Sequence, residues 1–192
     1  MTDLPFTLDL AVSMPDPAWA DLTPNLQTRT EEITSIALQE ISRVFELKPI
    51  AGSQQPSVEI SLVFTNDSDI RALNRDYRGK DQPTNVLSFP DSPLDQAELE
   101  QAVRLGEPLL LGDIVLARET LIREAEAQHK NVSDHFAHLL CHGVLHLAGF
   151  DHMDENEAVE MENLEIMILR RLHIANPYEL SDQPRQETPD LK

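Results

Sequence analysis

Three histidines near the C-terminal end of the chain are spaced so that one metal ion could bind all of them. His142 and His146 are four residues apart, and His152 follows six residues later. Four residues turn about 400° on an α-helix, so His142 and His146 are predicted to project from one face. Gly149 lets the chain leave the helix in a conformation that is costly for other residues. His152 can then fold back as a third ligand.

The predicted tripod is typical of a catalytic site. Three neutral nitrogen ligands leave a fourth position for water, and bound zinc lowers the pKa of that water to about neutral. A structural zinc site would normally be closed by a fourth ligand, usually cysteine. The only cysteine, Cys141, would point about 100° away from His142 on a helix. We therefore expect Cys141 to pack inside and the fourth position to stay open.

The outline H-x-x-x-H-x-x-G-x-x-H is similar to the zinc signature of the metzincin peptidases. Those enzymes carry a glutamate general base directly after the first histidine, whereas this chain has Gly143, which can accept no proton. Peptide hydrolysis by that mechanism is therefore disfavoured. Asp151 and Glu155 are alternative proton acceptors. His138 lies one turn before His142 and is an alternative metal ligand. We predict instead that it has a structural role or supports a ligand from behind.

The full string H-G-V-L-H-L-A-G-F-D-H resembles the YbeY family of bacterial ribosomal-RNA maturation endoribonucleases. A second stretch, N-R-D-Y-R-G-K-D-Q-P-T-N-V-L-S-F-P, resembles the same family and places its functionally implicated arginine on Arg78. An arginine near a metal-activated water could brace a phosphodiester and stabilise the charge that builds on its oxygens. The alternative for Arg78 is a solvated cation paired with Asp76 or Asp81. Lys80 is at most an RNA contact.

The resemblance covers about residues 58 to 170 and implies both a fold and a function. The fold is α+β, a single domain with a mixed, roughly four-stranded sheet packed with helices and a zincin-like metal site on a buried helix. The function is cleavage of single-stranded RNA, not DNA, with one zinc ion on His142, His146 and His152. In the family this serves 16S rRNA 3′-end maturation and ribosome quality control, which implies the ribosome or an assembly factor as partner.

Two other functions fit the same residues. The first is a metal-dependent hydrolase of peptides or small esters, and the second is a zinc-stabilised ribosome-assembly factor that binds without cutting. The substrate class rests on the resemblance alone. The metal is open as well, since the same tripod could hold nickel or iron.

Length and composition favour one soluble domain. The 192 residues, 41% of them hydrophobic, suffice for one ordinary core. We predict a domain over residues 1–175, with an acidic surface insertion at 91–108, and a disordered tail at 176–192. No stretch approaches the ~18 apolar residues of a membrane span, and the first residues lack the basic segment and apolar run typical of a signal peptide. We expect a cytoplasmic protein without an intramolecular disulfide.

The charge of the chain argues against a general nucleic-acid binder. The net charge is −19, from 34 acidic and 15 basic residues, whereas RNA affinity depends largely on neutralising phosphates. Residues 71–80 are an exception, since four basic residues against Asp76 leave a local charge of +3. A weak or transient binder acting on RNA held by another particle could tolerate this balance.

Periodicity predicts the elements that position the histidines. Alternating apolar residues predict strands at 6–12, 58–64, 86–89 and 109–117. Helical spacing predicts helices at 29–45 with a Thr28–Glu31 capping box, from 66 to about 79, at 119–129, and at 154–172, besides the site helix capped by Ser133 or Asp134. On the last helix the glutamates, Glu165 included, are predicted to form a solvated face. Asp113 is either a partner behind a ligand histidine or a turn or bulge residue.

Overall fold

The four strands predicted from alternating apolar residues all form and pair in one mixed sheet. A computed structural model describes residues 4–22, 25–52 and 55–179. The strands are β1 (Thr7–Ser13), β2 (Ser57–Thr65), β3 (Val86–Pro90) and β4 (Leu109–Ala117), in the order β1-β2-β4-β3. The first three strands across the sheet are parallel, and β3 is antiparallel to β4. β3 is therefore an edge strand.

Helices cover both faces of this sheet unequally. They are α1 (Leu26–Val44), α2 (Asp67–Arg78), α3 (Gln96–Leu105), α4 (Arg118–Ala127), α5 (Val132–Leu147) and α6 (Glu155–Arg171), and Pro17–Asp21 adds a 3-10 turn. On one face the sheet packs with α1, α5 and α6 in the large core. On the other, Ile70 of α2 packs with Leu87 and Val115 in a small separate cluster. The protein is thus a single-domain α+β fold, as expected.

The helix that carries two of the histidines is deeply buried, as its composition predicts. Phe136, Leu140 and Val144 of α5 are fully enclosed. The N-cap of the helix is Asn131, whose side chain accepts hydrogen bonds from the backbone N–H groups of Ser133 and Asp134. The predicted cap at Ser133 or Asp134 is therefore wrong by two or three residues. Ser88 of β3 donates a hydrogen bond to the carbonyl oxygen of Gly143, which ties the edge strand to α5.

Two other segments differ from the prediction. α1 begins at Leu26 without a side-chain cap, because burial of Leu26 extends the helix beyond the expected Thr28–Glu31 box. The acidic stretch 91–108 contains the ten-residue helix α3, whose Leu99 is completely buried, so the segment contributes to the core. Most of the predicted tail, from residue 180 onward, lies outside the described residues. None of the described helices is long and apolar enough to span a membrane.

Candidate metal centre

The three histidines predicted to share a metal ion come together. One ring nitrogen from each of His142, His146 and His152 lies within 4.8 Å of the other two. The ring centroid of His146 lies 4.5 Å from that of His142 and 5.1 Å from that of His152. The turn after α5 depends on Gly149, which has a φ of +94°. His152 folds back from this loop as the spacing predicts.

Hydrogen-bond partners determine which ring nitrogens of His142 and His146 face the centre. Nδ1 of His142 lies 2.7 Å from Oε1 of Glu165, and Nδ1 of His146 lies 3.0 Å from the carbonyl oxygen of Phe150. An ionised carboxylate and a carbonyl can only accept, so both Nδ1 atoms carry hydrogen. The two Nε2 atoms lie 3.0 Å apart. Such atoms repel unless a proton or a metal ion lies between or beside them.

The donor set fits a metal ion. Burial, followed by the charges of His142 and His152, lowers the pKa of His146 to about 4, so this ring is neutral at physiological pH. Zinc and similar ions bind neutral imidazole, and a hydrogen bond from the second ring nitrogen fixes the ring orientation. Among the described residues no carboxylate or thiol joins the three nitrogens. Cys141 is fully buried, as predicted, and its burial raises the pKa of the thiol.

Glu165 contacts His142 on the side away from the cluster, and the prediction that Glu165 is solvent-exposed is wrong. Its relative exposure is 0%. The carboxylate accepts hydrogen bonds from Nδ1 of His142, from Nε2 of His138 at 3.2 Å and from the hydroxyl of Tyr178. Burial alone would raise the pKa of Glu165, but the bonds from these three side chains lower it to about 2. His138, for which a structural role or one behind the ligands is predicted, binds the same carboxylate that orients His142.

Comparison with known proteins identifies the family of this chain. A family model described as Endoribonuclease YbeY matches residues 23–173. A relative named Endoribonuclease YbeY, from Paramagnetospirillum magneticum, is 46% identical over 172 residues, which cover 90% of this chain and 96% of the relative. The chain belongs to the YbeY endoribonuclease family. The YbeY of Rhodospirillum rubrum is 43% identical over 191 residues, covering 98% of this chain and 90% of the relative.

Among solved structures, the solution structure of TM1509 from Thermotoga maritima aligns with 93% of this chain and 100% of its own. The identity is 20% and the TM-score is 0.48, a likeness too weak to support any statement about the site.

Glu165 gives the first prediction for this member of the YbeY family. The Glu165→Gln variant keeps the volume of the side chain but removes the charge that orients His142 and strengthens it as a ligand. We expect zinc affinity to fall by about 10- to 100-fold. The measurement is competition for zinc with a chromophoric chelator. Glu162→Gln, on the exposed side of the same helix, is the matched control, and equal affinities in the two variants would contradict a role for Glu165.

Close packing explains why this YbeY chain has a glycine where metzincins have glutamate. A Cβ atom at Gly143 would lie 3.0 Å from Cγ2 of Ile114 and 3.3 Å from Oγ of Ser88. Position 143 therefore faces the sheet, where a longer side chain has no room.

The Gly143→Glu substitution would reproduce the sequence of the metzincin motif, but the new side chain would face the sheet. We expect it to lower the free energy of unfolding by about 3 kcal/mol or more, because it places a carboxylate against the sheet. Urea denaturation measures this, with Gly143→Ala as the milder member of the series. A stable Gly143→Glu variant with peptidase activity would refute this account of the position.

Arg78 is not in contact with the histidines. It ends α2, on the sheet face opposite α5, and within the described ranges its guanidinium has no hydrogen-bond or ion-pair partner. The predicted alternative, pairing with Asp76 or Asp81, is wrong, because these carboxylates bind Arg75 at 2.7 Å and Arg71 at 2.8 Å. The loop that follows Arg78 leads to Asn85, which lines a cavity together with His142.

The remaining candidates are exposed. Asp113 lies on β4, where no hydrogen bond joins it to the three histidines, so it does not orient a ligand. Asp151 accepts a hydrogen bond from the backbone N–H of His152 at 2.8 Å. Glu155 begins α6. The last two remain predictions as proton acceptors.

Proposed function

We propose that this protein is a zinc-dependent, single-strand-specific endoribonuclease that acts in 16S rRNA 3′-end maturation and ribosome quality control. The observation that carries the proposal is the pair of Nε2 atoms of His142 and His146, 3.0 Å apart with both Nδ1 hydrogens committed elsewhere. A tripod completed by His152 suits zinc, which prefers nitrogen and sulfur ligands. Membership of the YbeY family supports RNA as the substrate.

The residues of the chain divide the chemistry between them. A bound zinc ion would supply Lewis-acid activation of the water that attacks the phosphodiester. His142 and His146 are held in their ligand tautomers by Glu165 and Phe150. Glu165 is completely buried, so we assign the proton acceptor to Asp151 or Glu155, which are exposed near His152.

The charge distribution supports a substrate that is presented by another particle. The net charge of −19 opposes binding of free RNA, whereas the side chains of Arg78 and Lys80 are exposed and have no hydrogen-bond or ion-pair partner among the described residues. We therefore propose that the ribosome, or an assembly factor on it, holds the strand in the cytoplasm while Arg78 binds the phosphate with its planar fork.

The test uses the whole protein, stripped of metal and then supplied with zinc, nickel or magnesium. Substrates are a single-stranded RNA, the same RNA in a duplex, a matching DNA strand, and small ribosomal subunits with an extended 16S 3′ end. We expect cleavage of the single-stranded RNA and of the extension only after zinc is returned. Cleavage that survives chelation would contradict the proposal. Tight binding to the subunits without any cleavage would establish the assembly factor instead.

A further inference from the structure

A groove of two adjoining cavities leads away from the metal centre. The first, of about 430 Å³, is lined by His142 and by Asn85 and Val86 at the start of β3. The second has a volume of about 440 Å³. Both volumes fall in the range of small-ligand sites. The two cavities share the lining residues Gln128, Lys130, His135, His138, Pro177 and Tyr178. We call these two cavities the flanking groove.

One wall of the flanking groove offers aromatic surface in a fixed position. Tyr178 is 41% exposed, and the centroid of its ring lies 5.5 Å from that of His138 at an interplanar angle of 85°. The Tyr178 hydroxyl donates to the buried carboxylate of Glu165, and His138 binds the same carboxylate. These anchors hold both rings in place, so a flat ligand could stack on Tyr178 at little cost in side-chain entropy.

The lining of the flanking groove also offers hydrogen-bonding groups of both kinds. Oε2 of Glu124 accepts from Nε2 of His135 at 3.0 Å and from Nδ2 of Asn85 at 2.8 Å. Burial tends to raise the pKa of Glu124, but these bonds lower it, so Glu124 is an ionised acceptor. Its other oxygen, Oε1, has no hydrogen-bond partner among the described residues. Lys130 adds an ammonium donor.

This combination suits a nucleobase better than a phosphate. A carboxylate repels phosphate oxygens but accepts hydrogen bonds from the ring and exocyclic N–H groups of bases, while an ammonium group can donate to their carbonyl oxygens or ring nitrogens. Aromatic side chains in single-strand binding sites stack on bases of any sequence.

We propose that the flanking groove receives the base of the nucleotide next to the cleaved bond, stacked on Tyr178 and hydrogen-bonded to Glu124. The proposal rests on the proposed RNA-cleaving function, and it names the part of the substrate that the groove binds. The strand passes His142 and continues through the second cavity.

The experiment uses short single-stranded RNAs that lack one base at successive positions. With the zinc-loaded protein, we expect kcat/KM to fall by about tenfold when the missing base is the one at a single position beside the cleaved bond. Gln128→Trp places a bulky side chain where both cavities meet. We expect this variant to cleave intact RNA with a kcat/KM about tenfold lower than that of the wild type, and removal of that base should then lower kcat/KM no further. Glu126→Trp, on the exposed surface of α4 two residues earlier, is the matched control.

Two further measurements keep the outcomes separate. Fluorescence anisotropy with the metal-free protein measures RNA binding without cleavage. If Gln128→Trp does not fold, Lys130→Ala takes its place, and Lys48→Ala replaces Glu126→Trp as the control. Cleavage that is indifferent to every missing base would overturn the groove and leave the nuclease intact. A protein that never cleaves RNA, yet binds intact RNA about tenfold more tightly than the baseless strand, would support the groove and refute the nuclease.

Discussion

Replacement of His142 by asparagine is expected to lower the rate of RNA cleavage by about 1000-fold or more and to abolish stoichiometric zinc binding. The substitution removes one of the three clustered ring nitrogens and also one hydrogen-bond donor to the buried carboxylate of Glu165. Single-turnover cleavage of a labelled RNA measures the rate, and elemental analysis of the purified protein measures the metal.

The control for this variant is His173→Asn. His173 is exposed and has a φ of +60°, a conformation that asparagine tolerates. The control should retain cleavage and one zinc ion per chain. Equal cleavage by wild type, His142→Asn and chelated protein would instead reveal a contaminating nuclease and remove the support for a metal mechanism.

Arg78→Ala is expected to lower kcat by about 100-fold while KM changes little, because a guanidinium that stabilises the transition state contributes mainly to kcat. Arg78→Lys should recover only part of the rate, since an ammonium lacks the planar fork. Steady-state kinetics on a short RNA separates kcat from KM.

Arg104→Ala, in the exposed last turn of α3, is the matched control for Arg78→Ala. A rise in KM with unchanged kcat would mean that Arg78 only binds the strand. Unchanged cleavage together with weaker association with small ribosomal subunits would favour the non-catalytic assembly factor.

The sequence predicts the clustering of the three histidines well because their geometry is local. His142 and His146 need only one helical turn, and His152 needs only the turn at Gly149. The strands are equally predictable from the sequence, since burial alternates along Ser57–Thr65 as the residue types do. The order of the strands is not a local property, so the placement of β3 at the edge, beside the cavity that includes His142, required the structure.

Glu165 shows where reasoning from composition fails. The abundance of glutamate in α6 indicates a solvated face, and Met161, Leu164 and Ile168 are buried as predicted. Yet Glu165 follows Met161 by four residues and precedes Ile168 by three, so it lies on the same buried stripe. An acidic residue inside an apolar stripe needs hydrogen-bonding partners, so the position of Glu165 on that stripe was the sequence signal that it is buried and paired. Tyr178 could not be predicted, because its contact with Glu165 depends on the return of the chain after α6.

The enclosure of Glu165 also connects the proposed ion with the amount of protein in the cell. A fully enclosed carboxylate has no water to offset its charge, and a cation on the far side of the His142 ring would share that task. By linkage, the free energy of ion binding then adds to the stability of the native chain. Scarcity of zinc would thus shorten the lifetime of the enzyme as well as stop its turnover, so that metal supply would regulate abundance and activity together.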